Sequence, residues 1–304
     1  MTLCIAWKQN AKICFASDSR LTIRQGIDYV TTSDSAPKIF SIPVRIYEAG
    51  TQHNLLYDKD WGFCLAGGYV SASGYSDTLS ELLSNLQIVP SISIIDYEKI
   101  INIAYKIYLQ ISNELIQQRQ YGALCKILIT GICPSSNKTF IYEFGYTSKN
   151  YTDVQFYMKE IDIDKELIVY LGDKAAINSF NQKICTWPPK LNHLKCLKDI
   201  CNDSDIPTVG GRLQYGVLDI SHPKHFSIFG ILESELEFDG MFWSIKDNFL
   251  FRSINLPPQL FEGDIHVQKT YVTPFDIERN LLFDEAEIKN EEEQKLRLEK
   301  KNEL

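Results

Sequence analysis

Hydrophobic residues open the chain in two short runs separated by a polar turn. Residues 2–7 are apolar except for the threonine that begins them, KQNAK supplies the turn, and ICFAS is the second run. Two such runs predict a β-hairpin. A later apolar run, WGFCLAGGYV, ends in a glycine pair, which indicates a close approach of two backbones.

Helical spacing follows the glycine pair. Leu79, Leu82, Leu83 and Leu86 recur at intervals of three and four residues and predict one helix face. A second helix is predicted after Asp96, its candidate N-cap. Its apolar stripe comprises Ile100, Ala104, Ile107, Ile111 and Leu115.

The remaining pattern gives the fold class. Four alternating runs between residues 124 and 171 predict strands, helical stretches follow at 173–184 and 190–202, and RLQYGVLDI and HFSIFGIL are again strand-like. This order predicts an α+β fold, a four-layer αββα sandwich in which two antiparallel sheets are flanked by helices. We expect residues 1–231 to form this domain and residues 232–304 an acidic, partly helical extension. The charge-dense stretch at 284–304 is typical of a solvated helix or a disordered tail.

The composition of the chain excludes some classes of binding partner. A chain of 304 residues that is 44% hydrophobic can bury a large core, and a net charge of -8 argues against nucleic acid or an anionic membrane as a partner. The eight cysteines form no CxxC pair and are expected to be buried thiols. No leader or membrane-spanning pattern is visible, so we predict a cytoplasmic protein. We expect no cofactor and no metal, because His222 and His225 lack a third ligand.

Thr2 is the first candidate for chemistry. If Met1 is removed, Thr2 carries both a hydroxyl nucleophile and an α-amine that can act as its base. A cation nearby would favour the alkoxide, and backbone N–H groups would stabilise an oxyanion. Lys38 and Gly67 are the candidates for these two tasks. Asp18 would hold Lys38 in place, since the hairpin returns it towards Thr2.

The segments TLCIAW, FASDSRLT, PKIF and LAGG, in that order, resemble the β-subunits of the proteasome and their bacterial relatives among the N-terminal nucleophile hydrolases. The resemblance covers roughly residues 2–230. It implies that Thr2 is the nucleophile, that Asp18 and Lys38 form the charged pair, and that Gly67 is the oxyanion donor. It also implies supporting residues: Thr22, Leu65 and Tyr69 for substrate binding, and Asp205 and Thr208 for positioning the amine.

Some residues depart from that pattern or admit a simpler interpretation. Asp173 stands where the family has a serine, and its carboxylate could hold the amine protonated and weaken it as a base. Tyr69 could narrow the pocket for the substrate side chain. Asp18 and Arg20 could instead form a structural ion pair, and Lys38 could be an exposed lysine.

The sequence therefore predicts a threonine-type peptidase that cleaves amide bonds through an acyl-enzyme on Thr2. The resemblance implies a peptide or protein substrate and a homo-oligomer, such as a ring, and leaves an ATPase partner open. Two alternatives remain. The chain could be a catalytically reduced proteasome-like assembly or regulatory protein, or a hydrolase of small amides.

Overall fold

The computed structural model describes residues 2–25, 28–50, 54–89, 95–119, 122, 124–150, 153–186, 193–221, 225–238, 243–252, 254–262 and 265–273. His222 and the predicted tail at 284–304 lie outside these ranges.

The first sheet has eight strands in the order β11-β1-β2-β12-β13-β14-β15, and β18 pairs in parallel with β13. Its strands are β1 (Leu3–Gln9), β2 (Lys12–Ser17), β11 (Ile168–Gly172), β12 (Gln214–Asp219), β13 (Phe226–Phe238), β14 (Trp243–Phe251), β15 (Ile254–Asn255) and β18 (Tyr271–Val272).

The second sheet has six strands in the order β10-β9-β8-β6-β5-β7, and β5 and β7 are parallel. Its strands are β5 (Ile39–Glu48), β6 (Leu55–Gly67), β7 (Leu86–Ile88), β8 (Cys125–Ile132), β9 (Thr139–Asn150) and β10 (Asp153–Glu160). Two separate ribbons pair β3 (Leu21–Gln25) with β4 (Asp28–Ser33) and β16 (Gln259–Glu262) with β17 (Ile265–Gln268).

The predicted N-terminal hairpin is confirmed. β1 and β2 pair antiparallel from Cys4 opposite Ser17 to Gln9 opposite Lys12, and Asn10 in the turn has a positive φ of 51°. Residues 3–7 are buried on both faces of the sheet, which explains why the run is almost continuously apolar.

The described helices are α1 (Tyr69–Leu83), α2 (Tyr97–Arg119), α3 (Lys174–Thr186) and α4 (His193–Cys201). Leu79 and Leu83 are buried as predicted, whereas Leu82 is 46% exposed and Leu86 lies in β7 rather than in the helix. Asp96 caps α2, because its side chain accepts the N–H of Glu98 at 3.1 Å. No helix in the described ranges is long and apolar enough to cross a membrane.

Three clusters of buried side chains hold these elements together. One lies between the second sheet and helices α1 and α2, and another between the first sheet and helices α3 and α4. The third joins the two sheets and includes Cys4, Phe15, Cys64 and Leu128. β1 contributes to the last two clusters, so the segment that begins at Thr2 is fixed from both sides.

The predicted αββα four-layer sandwich of two antiparallel sheets is wrong. The described chain is about half strand and a quarter helix, in several sheets that include a half-barrel. Two strand pairs are parallel, and the two ribbons belong to neither large sheet. The sequence pattern missed these features because strand pairing between distant segments depends on the packed fold more than on local alternation.

The segment after residue 231 contains more strand than its irregular pattern suggests. β13 runs through residue 231 and pairs with β14 over eight positions, from Ile231 opposite Leu250 to Phe238 opposite Trp243. Ile231 and Leu250 are buried in the cluster beneath α3 and α4. The two predicted domains thus share a strand, and the division at residue 231 stays a prediction.

Candidate functional site

Thr2 lies just before β1, and two hydrogen bonds hold the peptide group that joins it to Leu3. Thr2 is 2% exposed. The next residue, Leu3, donates its N–H to Asp18 Oδ1 at 3.0 Å, and the Thr2 carbonyl accepts the N–H of Asp173 at 2.8 Å. These two bonds fix the peptide group directly after the candidate nucleophile.

Gly172 allows the end of β11 to lie close to the Thr2 carbonyl. Its φ is 123°, and a Cβ added there would lie 1.7 Å from the Thr2 carbonyl oxygen. A side chain at this position would therefore push β11 away from Thr2. Sequence reasoning did not select Gly172, although a glycine that ends an apolar run, as in YLG, is a signal for a close approach of another backbone.

The Asp18 carboxylate accepts four hydrogen bonds from residues of the site. Its Oδ1 accepts the Leu3 N–H and the Lys38 ammonium, the latter at 2.9 Å, and its Oδ2 accepts the N–H groups of Arg20 and Gly210 at 3.1 and 3.2 Å. Asp18 and Lys38 are both completely buried. Four donors compensate the cost of burying the carboxylate.

Lys38 is not an exposed lysine. Its Nζ also donates to the Arg20 carbonyl at 2.7 Å, its N–H donates to Gln214 Oε1 at 2.8 Å, and its carbonyl accepts the N–H of Leu65 at 3.2 Å. Removing one partner of a buried ion pair typically costs about 3–5 kcal/mol, because the other charge is left uncompensated. Sequence reasoning missed Gln214, which positions the Lys38 backbone.

Arg20 belongs to a different ion pair. Its guanidinium meets Asp34 with two parallel hydrogen bonds, Nε to Oδ1 at 2.7 Å and Nη2 to Oδ2 at 3.1 Å, and the Asp34 carboxylate raises the pKa of Arg20. The proposed side-chain pair of Arg20 with Asp18 is therefore wrong. Arg20 contributes to the site through its backbone groups.

Asp173 donates its N–H to the Thr2 carbonyl, and both oxygens of its carboxylate accept hydrogen bonds from other residues. Oδ1 accepts the N–H groups of Ala175 and Ala176 at 2.7 and 3.3 Å and caps α3. Oδ2 accepts the Thr208 hydroxyl at 2.7 Å. Asp173 and Thr208 are buried, whereas Asp205 is exposed and accompanies neither of them. The Thr208 hydroxyl, which we expected to position the Thr2 amine, therefore donates its hydrogen bond to Asp173.

Gly67 ends β6, has a φ of 107°, and would bring an added Cβ within 2.6 Å of the Leu124 carbonyl. The Leu65 carbonyl accepts the Cys4 thiol at 2.9 Å, which links β6 to the strand that follows Thr2. The Leu65 side chain is buried in the core and Tyr69 begins α1. Thr22 pairs with Thr31 in the β3–β4 ribbon. The roles predicted for these residues remain predictions.

The cysteines behave as expected where their side chains are described. Seven of them are buried free thiols, and burial raises the pKa of Cys14, Cys125 and Cys196 to about 12. His225 contacts Asp60, with 2.5 Å between Nδ1 and Oδ2. Within the described ranges, no group of three or more His, Cys, Asp or Glu residues could hold a metal ion.

Comparisons with known proteins give structural likenesses alone. No protein-family model matches the chain, and no curated protein matches it. The structure is similar to the Anbu complex from Pseudomonas aeruginosa, solved as a helical assembly, with 14% identity, a TM-score of 0.47, and coverage of 75% of this chain and 86% of that one.

Two further Anbu structures are similar. The protein from Yersinia bercovieri, described as an ancestral β-subunit, has 13% identity and a TM-score of 0.45, with 75% of this chain and 86% of that chain covered. A Gly-1 mutant from Hyphomicrobium sp. strain MC1 has 12% identity and a TM-score of 0.44, with 72% and 82% covered. The assignment to proteasome β-subunits is wrong, since these structures are Anbu proteins and no family model supports it.

Proposed function

We propose that the chain is an N-terminal threonine hydrolase that cleaves amide bonds, with peptides as the first substrate class, after removal of Met1. One observation carries this proposal. The Asp18 carboxylate, buried beside Thr2, binds both the Leu3 N–H and the Lys38 ammonium. A fully buried lysine is rare unless it is paired, and this one is fixed next to a candidate nucleophile.

In the proposed reaction, the Thr2 hydroxyl oxygen forms a bond to the substrate carbonyl carbon and its proton passes to the Thr2 α-amine. The carbon–nitrogen bond then breaks, and the departing amine takes that proton. Water attacks the resulting ester, gives one proton to the α-amine, and releases the acid as Thr2 regains its hydroxyl proton. Nucleophile and base thus reside in one residue.

Lys38 is the electrostatic partner in this scheme. An ammonium has three N–H donors, of which one binds Asp18 and one the Arg20 carbonyl. We assign the third to the Thr2 hydroxyl oxygen, where it would stabilise the developing negative charge. The oxyanion would be bound by the Gly67 N–H at the end of β6.

A second candidate is an assembly or regulatory protein with reduced catalysis. The observation that favours it is the burial of Thr2, which is 2% exposed. The β3–β4 ribbon also presents Ile23 and Val30 opposite each other, 48% and 40% exposed, as apolar surface for self-association. This candidate requires neither an accessible hydroxyl nor a free amine at Thr2.

Intact mass spectrometry tests the two candidates, first on the purified protein and then after treatment with a peptide epoxyketone. The hydrolase is expected to lack Met1 and to gain one inhibitor mass, which Thr2→Ala abolishes. Thr78→Ala is the matched control, because Thr78 is a helical threonine whose hydroxyl binds the Gly74 carbonyl. Retention of Met1 in every molecule, or no adduct, would exclude the hydrolase.

One thiol needs its own control in this experiment. Burial opposes ionisation of Cys133, but hydrogen bonds with Ser135 and Ser136 lower its pKa to about 7, so it could react with an electrophile. Cys133→Ser must keep the adduct if Thr2 is the nucleophile. A peptide-library digest then distinguishes a peptidase from a hydrolase of small amides.

A further inference from the structure

Arg252 lies in the turn between β14 and β15, far from Thr2 in sequence. Its φ is 47°, an uncommon value for a residue with a side chain. Its guanidinium carbon lies 4.8 Å from the centre of the Phe40 ring. Its Nε is buried and makes no hydrogen bond with the described part of the protein. A cation is thus held over an aromatic ring with part of its hydrogen-bonding capacity unused.

Both neighbours of this guanidinium adjoin candidate catalytic residues. Phe40 follows Lys38 by two residues in extended chain, which places the two side chains on the same side of the strand. The other neighbour is Tyr69: burial raises the pKa of its hydroxyl, and the positive charge of Arg252 opposes this rise. Tyr69 follows Gly67 by two residues, so Arg252 lies near the chain segments that carry Lys38 and the predicted oxyanion donor.

The surroundings of Arg252 favour an anion. Burial lowers the pKa of Arg252, and the Tyr69 hydroxyl opposes this shift. Helix α1 begins at Tyr69 without a side-chain cap and without an acidic residue in its first turn. In that turn the buried Ser71 hydroxyl also has no hydrogen-bond partner among the described residues.

We propose that Arg252 selects substrates that carry a carboxylate side chain next to the bond that Thr2 attacks. The inference rests on the proposed function, because it places the side chain of a substrate bound at Thr2 beside Phe40 and Tyr69. A substrate carboxylate there would accept a hydrogen bond from the Arg252 guanidinium, which has planar donors suited to carboxylates. Arg252 is a specificity-determining residue and takes no part in bond making.

Binding and cleavage are measured separately to test this proposal. Binding uses the Thr2→Ala protein and two N-acetyl tetrapeptide amides, identical except for a C-terminal Glu or Gln. Calorimetry is expected to show about tenfold to a hundredfold tighter binding of the Glu peptide, the range for a hydrogen bond to a charged group. Arg252→Gln should abolish this difference and Arg252→Lys should keep part of it.

Lys269→Gln is the matched control. Lys269 is also a cation over an aromatic ring, with its Nζ 4.6 Å from the centre of the ring of Phe251, the residue before Arg252. This variant loses the same charge and should keep the Glu preference. Equal binding of both peptides, no binding of either, or loss of the preference in Lys269→Gln alone would overturn the proposal. Circular dichroism of each variant separates a local effect from unfolding.

Cleavage is measured with coumarin amides of the same two peptides and the protein that retains Thr2. The Glu substrate should have the higher kcat/KM through a lower KM, and Arg252→Gln should remove this advantage, so that the two substrates are cleaved with equal kcat/KM. If the Glu preference in binding persists but no substrate is cleaved, the hydrolase proposal fails and the carboxylate-binding role of Arg252 remains. If both substrates are cleaved equally well, the hydrolase remains and the role of Arg252 in selecting acidic substrates is excluded.

Discussion

Two clusters of cations and carboxylates in this protein use similar side chains in different surroundings. Asp18 and Lys38 are completely buried, and both oxygens of the carboxylate are hydrogen-bonded. Arg45 contacts Asp58 and Asp60 on the second sheet, with side chains that are 18–35% exposed. The first cluster holds the backbone next to Thr2, whereas the second cross-links β5 and β6.

The difference shows why charge pairing alone does not indicate function. A partly exposed pair is screened by water and salt and can form on many surfaces. A buried pair costs desolvation energy that hydrophobic side chains of similar size would avoid. Its retention beside a candidate nucleophile is therefore the stronger argument for a role in chemistry.

The largest effect is expected from Lys38→Met. The substitution leaves the Asp18 carboxylate buried without its counter-ion, so urea denaturation should give a loss of about 3–5 kcal/mol in the free energy of unfolding. The double variant Asp18→Leu, Lys38→Met should regain only part of this stability, because no buried charge remains but the N–H groups of Leu3 and Gly210 lose their acceptor. Both variants should lose at least about a hundredfold in peptide cleavage. Cleavage that recovers with stability would make the pair purely structural.

The sequence predicts this pair because the contacts that form it are largely local. The hairpin places Cys4 opposite Ser17, so Asp18 must lie near Leu3 whatever the rest of the chain does. The PKIF segment adds a lysine in extended chain, as expected after Pro37. Residues of this kind can be chosen from spacing and turn chemistry.

The parts that were not predicted depend on contacts between distant segments. Asp173 and Thr208 are separated by 35 residues, and Arg252 reaches Phe40 only because β14 packs along β13. The parallel pairs β5–β7 and β13–β18 likewise join segments whose local patterns are short or irregular. Such pairings are decided by tertiary packing, which explains why the expected four-layer sandwich was wrong.

The second prediction concerns a largely buried histidine for which the described residues provide no counter-ion. His193 stacks on Trp7, with ring centroids 4.6 Å apart, and burial lowers its pKa from 6.5 to about 4. The unfolded chain takes up this proton at a higher pH than the folded chain does. Stability should therefore be unaffected above pH 6.5, fall by about 3 kcal/mol between pH 6.5 and pH 4, and then level off.

Urea denaturation of the wild type and His193→Gln between pH 7.5 and 4.5 measures this effect. The difference in unfolding free energy between the two proteins should shrink as the pH falls, because glutamine does not titrate. A difference that stays constant with pH would contradict the buried neutral histidine. Comparison with Lys38→Met then sharpens the contrast between a buried group that has a charged partner and one that has none.

The third prediction tests the carboxylate on the far side of Thr2. Asp173→Ala removes the cap of α3 and should cost about 1 kcal/mol in unfolding free energy, whereas Asp173→Asn should keep most of the cap. If the Asp173 charge weakens the Thr2 amine as a base, Asp173→Asn should also lower the pH at which peptide cleavage begins. A pH profile identical to the wild type would limit Asp173 to a structural role.

The smallest effect is expected at the partly exposed cluster. Arg45→Met leaves Asp58 and Asp60 accessible to water, so the loss in unfolding free energy should be at most about 1 kcal/mol and should shrink as salt is raised. Epoxyketone labelling of Thr2 should be unchanged, since the hydrogen bonds and ion pairs of the Arg45 guanidinium go to the Val44 and Lys59 carbonyls and to the two carboxylates. A loss as large as that of Lys38→Met, or impaired labelling, would remove the distinction between the two clusters, because burial would then not decide which ion pair supports the site.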